Sequence, residues 1–223
     1  MRLEIIEQQS RINLRQKSSS IDVLKRLEIW EAGETYFDGE RDYGYGGYNY
    51  DGRWVGFVEK LTSAYLLGPK SSLLDVGCAK GFLVHDFNNS SEVGNAVGVD
   101  ISLYALLSGV RSGMHGTFLC CNSTSLPFLD NEFELAICKD TLHNILCEDE
   151  IVESLIELKR VSKKTWIRVA SYNTDNQRGV IRDWATFARS YYSTVKWHRI
   201  FKLAGYDRDY DWFHPSEYIE DVK

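Results

Sequence analysis

Residues 73–82 read Leu73-Leu74-Asp75-Val76-Gly77-Cys78-Ala79-Lys80-Gly81-Phe82. The run from Ser72 to Val76 is apolar enough for a buried strand and too short for a helix. Gly77 permits a sharp turn. Gly81 permits close packing where the chain enters Phe82-Leu83-Val84-His85-Asp86-Phe87, whose apolar residues have helical spacing. A strand, a glycine-bearing turn and a helix start form a ligand cradle, because backbone N–H groups are free at the helix N-terminus and no Cβ obstructs approach. The dinucleotide fingerprint would require G-x-G-x-x-G after the strand, which this loop lacks.

Two segments downstream extend the pattern. Ala96-Val97-Gly98-Val99-Asp100-Ile101-Ser102 is a second apolar run that ends in an acid, 25 residues after Asp75. That is near the ~20-residue spacing that sets a carboxylate on a ribose diol in nucleotide-binding βαβ units. A carboxylate suits that task, since its two oxygens can accept from both hydroxyls. As an alternative, Asp100 could cap the next helix, although Ser102 is also available for that. The third segment runs Cys121-Asn122-Ser123-Thr124-Ser125-Leu126-Pro127-Phe128-Leu129-Asp130-Asn131-Glu132-Phe133-Glu134-Leu135.

In order and spacing, Asp75-x-Gly77-x-Ala79-x-Gly81, the Asp100 strand and Leu126-Pro127-Phe128-x-Asp130-x-x-Phe133 resemble the class I S-adenosylmethionine (SAM) dependent methyltransferases of the type 11 kind. The resemblance covers roughly Ser72 to Ala170. Three departures stand out: Ala79 replaces a glycine, Asn122 stands where the family often has Asp, and Ser162-Lys163-Lys164 replaces the usual Pro-Gly-Gly. The resemblance implies an α/β, Rossmann-like methyltransferase fold with a mostly parallel central sheet and helices on both faces. It also implies SAM as cofactor. By resemblance, Asp75, Gly77, Cys78 and Gly81 would shape the methionine and ribose side. Asp100 would take the ribose hydroxyls, Ile101 would flank adenine, Asn122 would accept from the adenine amino group and Ser123 would offer a backbone N–H. Lys139, at the end of the fourth strand, would face the cleft.

The 223 residues suit one domain, here divided into an N-terminal arm and aromatic-rich lid over 1–54 and a methyltransferase domain over 55–223. A net charge of −6 argues against a broad nucleic-acid surface. No run reaches the ~18 apolar residues of a membrane span, and the start lacks a signal-peptide core. The five cysteines form no C-x-x-C pair and show no zinc spacing, so free, buried thiols in a cytoplasmic protein are expected, with no metal.

Residues 1–20 read as a frayed helix or docking arm, and Ile21 to Trp30 as a helix. Tyr43-Gly44-Tyr45-Gly46-Gly47-Tyr48-Asn49-Tyr50-Asp51-Gly52-Arg53-Trp54 is too rich in glycine for a helix. It reads as a loop folding over the site, with Tyr48 on the cofactor side and Arg53 available to a carboxylate, unless Arg53 sits in a structural ion pair; together with the segment Tyr172 to Tyr192 it would close the acceptor pocket. Val55 to Leu67 is helical up to Gly68-Pro69. Strands follow at Leu73–Val76, Ala96–Asp100, Thr117–Cys121, Leu135–Lys139 and Thr165–Ala170, with helices at Phe82–Asn88, Leu103–Val110, Asp149–Val161 and Val195–Leu203. Tyr210–Phe213 is the single candidate for a last strand, where the family sheet normally ends in two, one of them antiparallel.

Methyl transfer is an in-line displacement, so orientation and exclusion of water matter most, and a base is needed only for a neutral nucleophile. His143 is the catalytic candidate, since its unperturbed pKa suits proton acceptance. A histidine that merely holds its loop by hydrogen bonds is the favoured alternative, and Asp140 and Tyr172 are rival bases. The expected function is SAM-dependent methylation of a small-molecule acceptor, most naturally at oxygen and in a sugar, nucleotide-linked or other specialised pathway. The alternatives are a SAM-binding non-catalytic partner subunit and, less readily, an NAD-dependent oxidoreductase. No nucleic-acid or membrane partner is expected, and the oligomeric state is open.

Overall fold

The structure is a computed structural model that describes Arg2, residues 20–90 and residues 94–214. The docking arm expected over residues 1–20 therefore lies outside the described residues, apart from Arg2 and Ser20.

Three helices precede the sheet: α1 (Val23–Trp30), α2 (Glu34–Phe37) and α3 (Val55–Tyr65). Asp22 caps α1 by accepting the Lys25 N–H at 3.0 Å. α3 stops at Leu66, which takes a left-handed conformation just before Gly68-Pro69. Then come β1 (Ser72–Val76), α4 (Phe82–Asn89), β2 (Asn95–Asp100), α5 (Leu103–Arg111), β3 (Thr117–Cys120), β4 (Phe133–Lys139), a 3-10 turn (Leu142–Asn144) and α6 (Glu148–Val161). β5 (Ser162–Ala170), α7 (Asp175–Trp184), α8 (Thr194–Leu203) and β6 (Asp209–Phe213) complete the order. Ser102 caps α5 and Thr174 caps α7, the latter with Gln177 in a reciprocal capping box.

The six strands form one sheet in the order β3-β2-β1-β4-β5-β6, and every pairing is parallel. Alternate residues of β1 face opposite layers. Leu74 and Val76 pack with Ile151, Leu155 and Leu158 of α6 and with Trp197 and Ile200 of α8. Leu73 packs the other way, with Phe57 and Leu61 of α3 and Val84 and Phe87 of α4. Burial on both faces explains why the strands read as continuous apolar runs.

Two features of this edge of the sheet differ from expectation. β5 begins at Ser162 rather than Thr165, directly from α6, because Ser162 is buried and its hydroxyl returns to the Leu158 carbonyl at 2.7 Å. The last strand pairs parallel to β5, with Trp166 opposite Asp209 and Ala170 opposite Phe213. The chain crosses back through α7 and α8 before adding it, and that length of connection allows a parallel return. Among the described residues no helix is long and apolar enough to cross a membrane.

Candidate active site

A cavity of about 730 Å³ opens beyond the carboxyl ends of β1, β2 and β4. This is where ligands sit in open α/β sheets, on either side of the strand where the order reverses. Its floor is the turn after β1. The Gly77 and Cys78 N–H groups both donate to the Val99 carbonyl, at 2.8 and 3.0 Å, which folds the turn onto β2. Gly77 has φ +83°, and a Cβ there would lie 2.0 Å from the Thr141 hydroxyl oxygen. Gly81 has φ +76°, and a Cβ there would strike the Phe118 ring at 2.2 Å. The turn needs glycine at both places because the conformation and the neighbours each exclude a side chain. Ala79 also sits at positive φ, +51°, which an L-residue adopts at some cost.

Asp100 closes the cradle from the end of β2. Its two carboxylate oxygens accept the Ala79 and Ser102 N–H groups, each at 2.8 Å. A carboxylate has about four lone-pair sites, so both oxygens can accept again. Burial raises its pKa, and those backbone N–H bonds oppose the shift. Asp75 lies 5% exposed on the cavity wall. Burial, with repulsion from Asp100, pushes its carboxyl up to about 7. Cys78 is buried, and that burial carries its thiol well above the ordinary value, which makes it a poor nucleophile.

Residues 74–165 match the family model described as a methyltransferase domain. Over that segment the chain carries a methyltransferase domain. Among solved structures, the methyltransferase resembles a chain of the complex between the Haloferax volcanii Trm112 methyltransferase activator and a proposed methyltransferase, with TM-score 0.51 and 16% identity, covering 69% of this chain and 74% of that one. The YcgJ protein of Bacillus subtilis gives TM-score 0.51 and 17% identity, covering 66% of each chain. A proposed methyltransferase of Bacillus halodurans gives TM-score 0.51 and 17% identity, covering 66% of this chain and 68% of that one. At these identities the likeness is one of fold. None of the curated proteins matches the chain.

All but one of the residues singled out in the sequence line this cavity. Tyr48, Arg53, Asp75, Gly77, Cys78, Asp100, Ile101, Asn122, Ser123, Lys139 and His143 all line it, whereas Gly81 stands just behind as the cap of α4. Ile101 is 66% exposed, a large apolar surface at the lip. The Asn122 amide oxygen accepts the Thr124 N–H at 3.1 Å, and the Ser123 hydroxyl meets that of Ser154 at 2.8 Å.

The aromatic segment does fold over the turn. Tyr48 stacks on Phe82 at 4.7 Å and lies 4.3 Å from Tyr45. Lys80, 4% exposed, pairs with Asp38 at 2.6 Å, and that carboxylate also accepts the Tyr48 N–H at 3.3 Å and the Tyr104 hydroxyl at 2.8 Å, which ties the segment to the turn. Arg53 is held by Asp51 through Nε and a terminal nitrogen, the latter at 2.6 Å, so the structural ion pair weighed for it is present.

His143 is placed as a brace for its loop. It is buried, and its Nδ1 accepts the Ala170 N–H at 3.1 Å. Burial pushes its pKa down to about 4, so at neutral pH the ring is uncharged and its second nitrogen carries the proton. With Nδ1 so engaged, the ring is placed as the loop-holding histidine weighed beside the proton-acceptor reading. Its rival Asp140 is no better placed. Burial alone would raise the Asp140 carboxyl, but Arg168 and Lys139 outweigh it and hold the pKa well below the usual range. Lys139 contacts Asp140 at 2.5 Å and lies 4.6 Å from the Trp54 ring centre; burial lowers its pKa to about 8. The thiols also differ from expectation: all five are free, yet Cys120 and Cys147 are exposed because they end elements at the surface.

The sequence marks the outer half of the cavity only in part: it points to the segment 172–192, which brings Trp184, Phe187 and Arg189 to the lining, and it does not single out Trp30, Glu31 or Tyr36, which line it as well. Arg168 was a further signal. An arginine within the apolar run Thr165–Ala170 requires a buried partner, and it finds Asp140 at 2.8 Å.

Proposed function

We propose that this methyltransferase acts on a small-molecule acceptor, at oxygen, in a cavity closed by the segment 43–54. The observation that carries the proposal is the pairing of Asp100 with the glycine turn at one end of a cavity of about 730 Å³. The residues fit SAM. Gly77 and Gly81 keep the turn clear of side chains, Asp100 retains acceptor capacity for ribose hydroxyls, and Ile101 offers an apolar lip for adenine. Asn122 and Ser123 complete the base side. Asp75, Cys78, Tyr48 and Lys139 border the methionine side, with Arg53 at its outer edge, already engaged by Asp51.

When bound, SAM supplies an electrophilic methyl group on a sulfonium. The chain's own work is orientation and exclusion of water. Tyr45, Tyr48 and Trp54 wall off solvent, and Asp38 fixes that wall to the turn through Lys80. A cavity of this size suits a small acceptor, and a folded macromolecule would not enter its inner site. Residues 1–54 serve as arm and lid to the domain formed by 55–223. The protein is proposed to work in the cytoplasm, without nucleic acid or membrane.

Calorimetric titration with SAM, S-adenosylhomocysteine and NAD tests this. Binding of the first two and not the third is expected, followed by turnover on hydroxylated small molecules. Binding of NAD alone refutes the reading. SAM binding without turnover on any acceptor favours a non-catalytic subunit.

A further inference from the structure

Three basic side chains line the cavity: Arg53, Lys139 and Arg189. Arg53 is closed on Asp51 at 2.6 Å and Lys139 on Asp140 at 2.5 Å. Arg189 forms no ion pair among the described residues, and Glu150 is the one acid whose field reaches it.

Arg189 is nevertheless fixed in place. A terminal nitrogen donates to the Trp30 carbonyl at 2.6 Å. Its guanidinium lies 5.1 Å from the Trp30 ring centre and 5.5 Å from that of Phe187. Its backbone N–H, like that of Ser190, donates to the His143 carbonyl at 3.0 Å. The Nε–H is enclosed and finds no acceptor among the described residues. A guanidinium has five N–H donors and no other use for them than anions and carbonyls. Here the cation is ordered in advance, so a ligand bears little of that cost.

We propose that Arg189 binds the carboxylate of a flat, apolar-bodied methyl acceptor in the outer half of the cavity; this rests on the methyl-transfer reading above. The surrounding surface is aromatic: Tyr36 stacks on Phe187 at 4.4 Å, and Trp30 and Trp184 complete the wall. Glu31 and Glu150 share that wall, which tolerates a single negative charge better than the double charge of a phosphate monoester. The position favours acceptor over cofactor. Arg189 hangs from the turn after β4, whereas Asp100 and Ile101 end β2, with β1 between them in the sheet.

The test uses the whole protein saturated with S-adenosylhomocysteine. It is titrated calorimetrically with 4-hydroxybenzoate, cinnamate and indole-3-acetate, each paired with its neutral amide. At least one acid should bind about tenfold more tightly than its amide. Arg189→Gln should erase that preference and Arg189→Lys should keep part of it, both with unchanged affinity for S-adenosylhomocysteine. Equal binding of acids and amides, no binding of any acid, or a preference that survives Arg189→Gln overturns the proposal. So does a tenfold loss of S-adenosylhomocysteine affinity in Arg189→Gln, which would assign the cation to the cofactor. If the wild-type protein fails to bind S-adenosylhomocysteine at all, the methyl-transfer reading falls first.

Discussion

Replacing Asp75 by Asn should change how stability depends on pH, because two buried groups beside the cavity now pull in opposite directions. The Asp75 carboxyl is raised to about 7, against about 3.9 in an unfolded chain. Between those values the folded state holds a proton that the unfolded state has lost. Stability from this group is therefore greatest below about pH 4 and declines as pH rises toward 7. Three units correspond to about 4 kcal/mol. His143 is lowered to about 4, against about 6.5 unfolded. Between those values the unfolded state holds the extra proton, so stability grows with pH, by about 3 kcal/mol in total. Both side chains are 5% exposed, so solvent screening takes little from either. The wild-type protein should then vary little between pH 4.5 and 6.5. Asp75→Asn should expose the His143 slope and gain about 2–3 kcal/mol over that interval. It should also exceed the wild type at pH 8 by up to about 4 kcal/mol. Urea unfolding at half-unit pH steps measures this. If Asp75→Asn and wild type follow parallel curves from pH 4.5 to 8, the carboxyl is not held protonated and the reasoning fails.

His143→Gln should keep kcat within about threefold, since an amide oxygen can accept the Ala170 N–H; a hundredfold loss with unchanged SAM affinity would restore the ring as base. Asp100→Asn should weaken SAM binding by more than about tenfold, roughly 1.4 kcal/mol, read by calorimetry; unchanged affinity would remove Asp100 from the site. Gly77→Ala should destabilise the protein by about 2–4 kcal/mol in chemical unfolding, from a left-handed backbone plus the clash with Thr141. A stability within 0.5 kcal/mol of wild type would show that the turn relaxes.

The sheet was readable because each strand sits under helices on both sides, which leaves unbroken apolar runs such as Leu73–Val76 and Leu135–Cys138. The inner wall was readable because local spacing alone carries Gly77, Gly81 and Asp100 to one point. Arg53 is instructive: Asp51, two residues away across Gly52, was already its nearest partner in the sequence. The outer wall was readable only in part, through the aromatic segment 172–192. Trp30, Trp184 and Arg189 meet only after the chain has passed through the whole sheet, and no short-range pattern records that meeting. The direction of β6 was likewise undetermined, since five residues of a strand pair equally well either way until the connecting helices fix the return.

The tether from Lys80 to Asp38 divides the enclosure into a stationary side and a side free to yield. Moving Asp38 away, and with it Tyr48, whose N–H donates to that carboxylate, would strand an ammonium group that is almost wholly out of solvent, a change worth roughly several kcal/mol. Traffic is thereby directed to the opposite rim, where residues 184–189 are held without an ion pair among the described residues, by the His143 and Trp30 carbonyls and by the Phe187 ring stacked on Tyr36. Steady-state kinetics should accordingly follow a compulsory sequence, with the nucleoside seated first and released last and the smaller reactant coming and going by the looser gate.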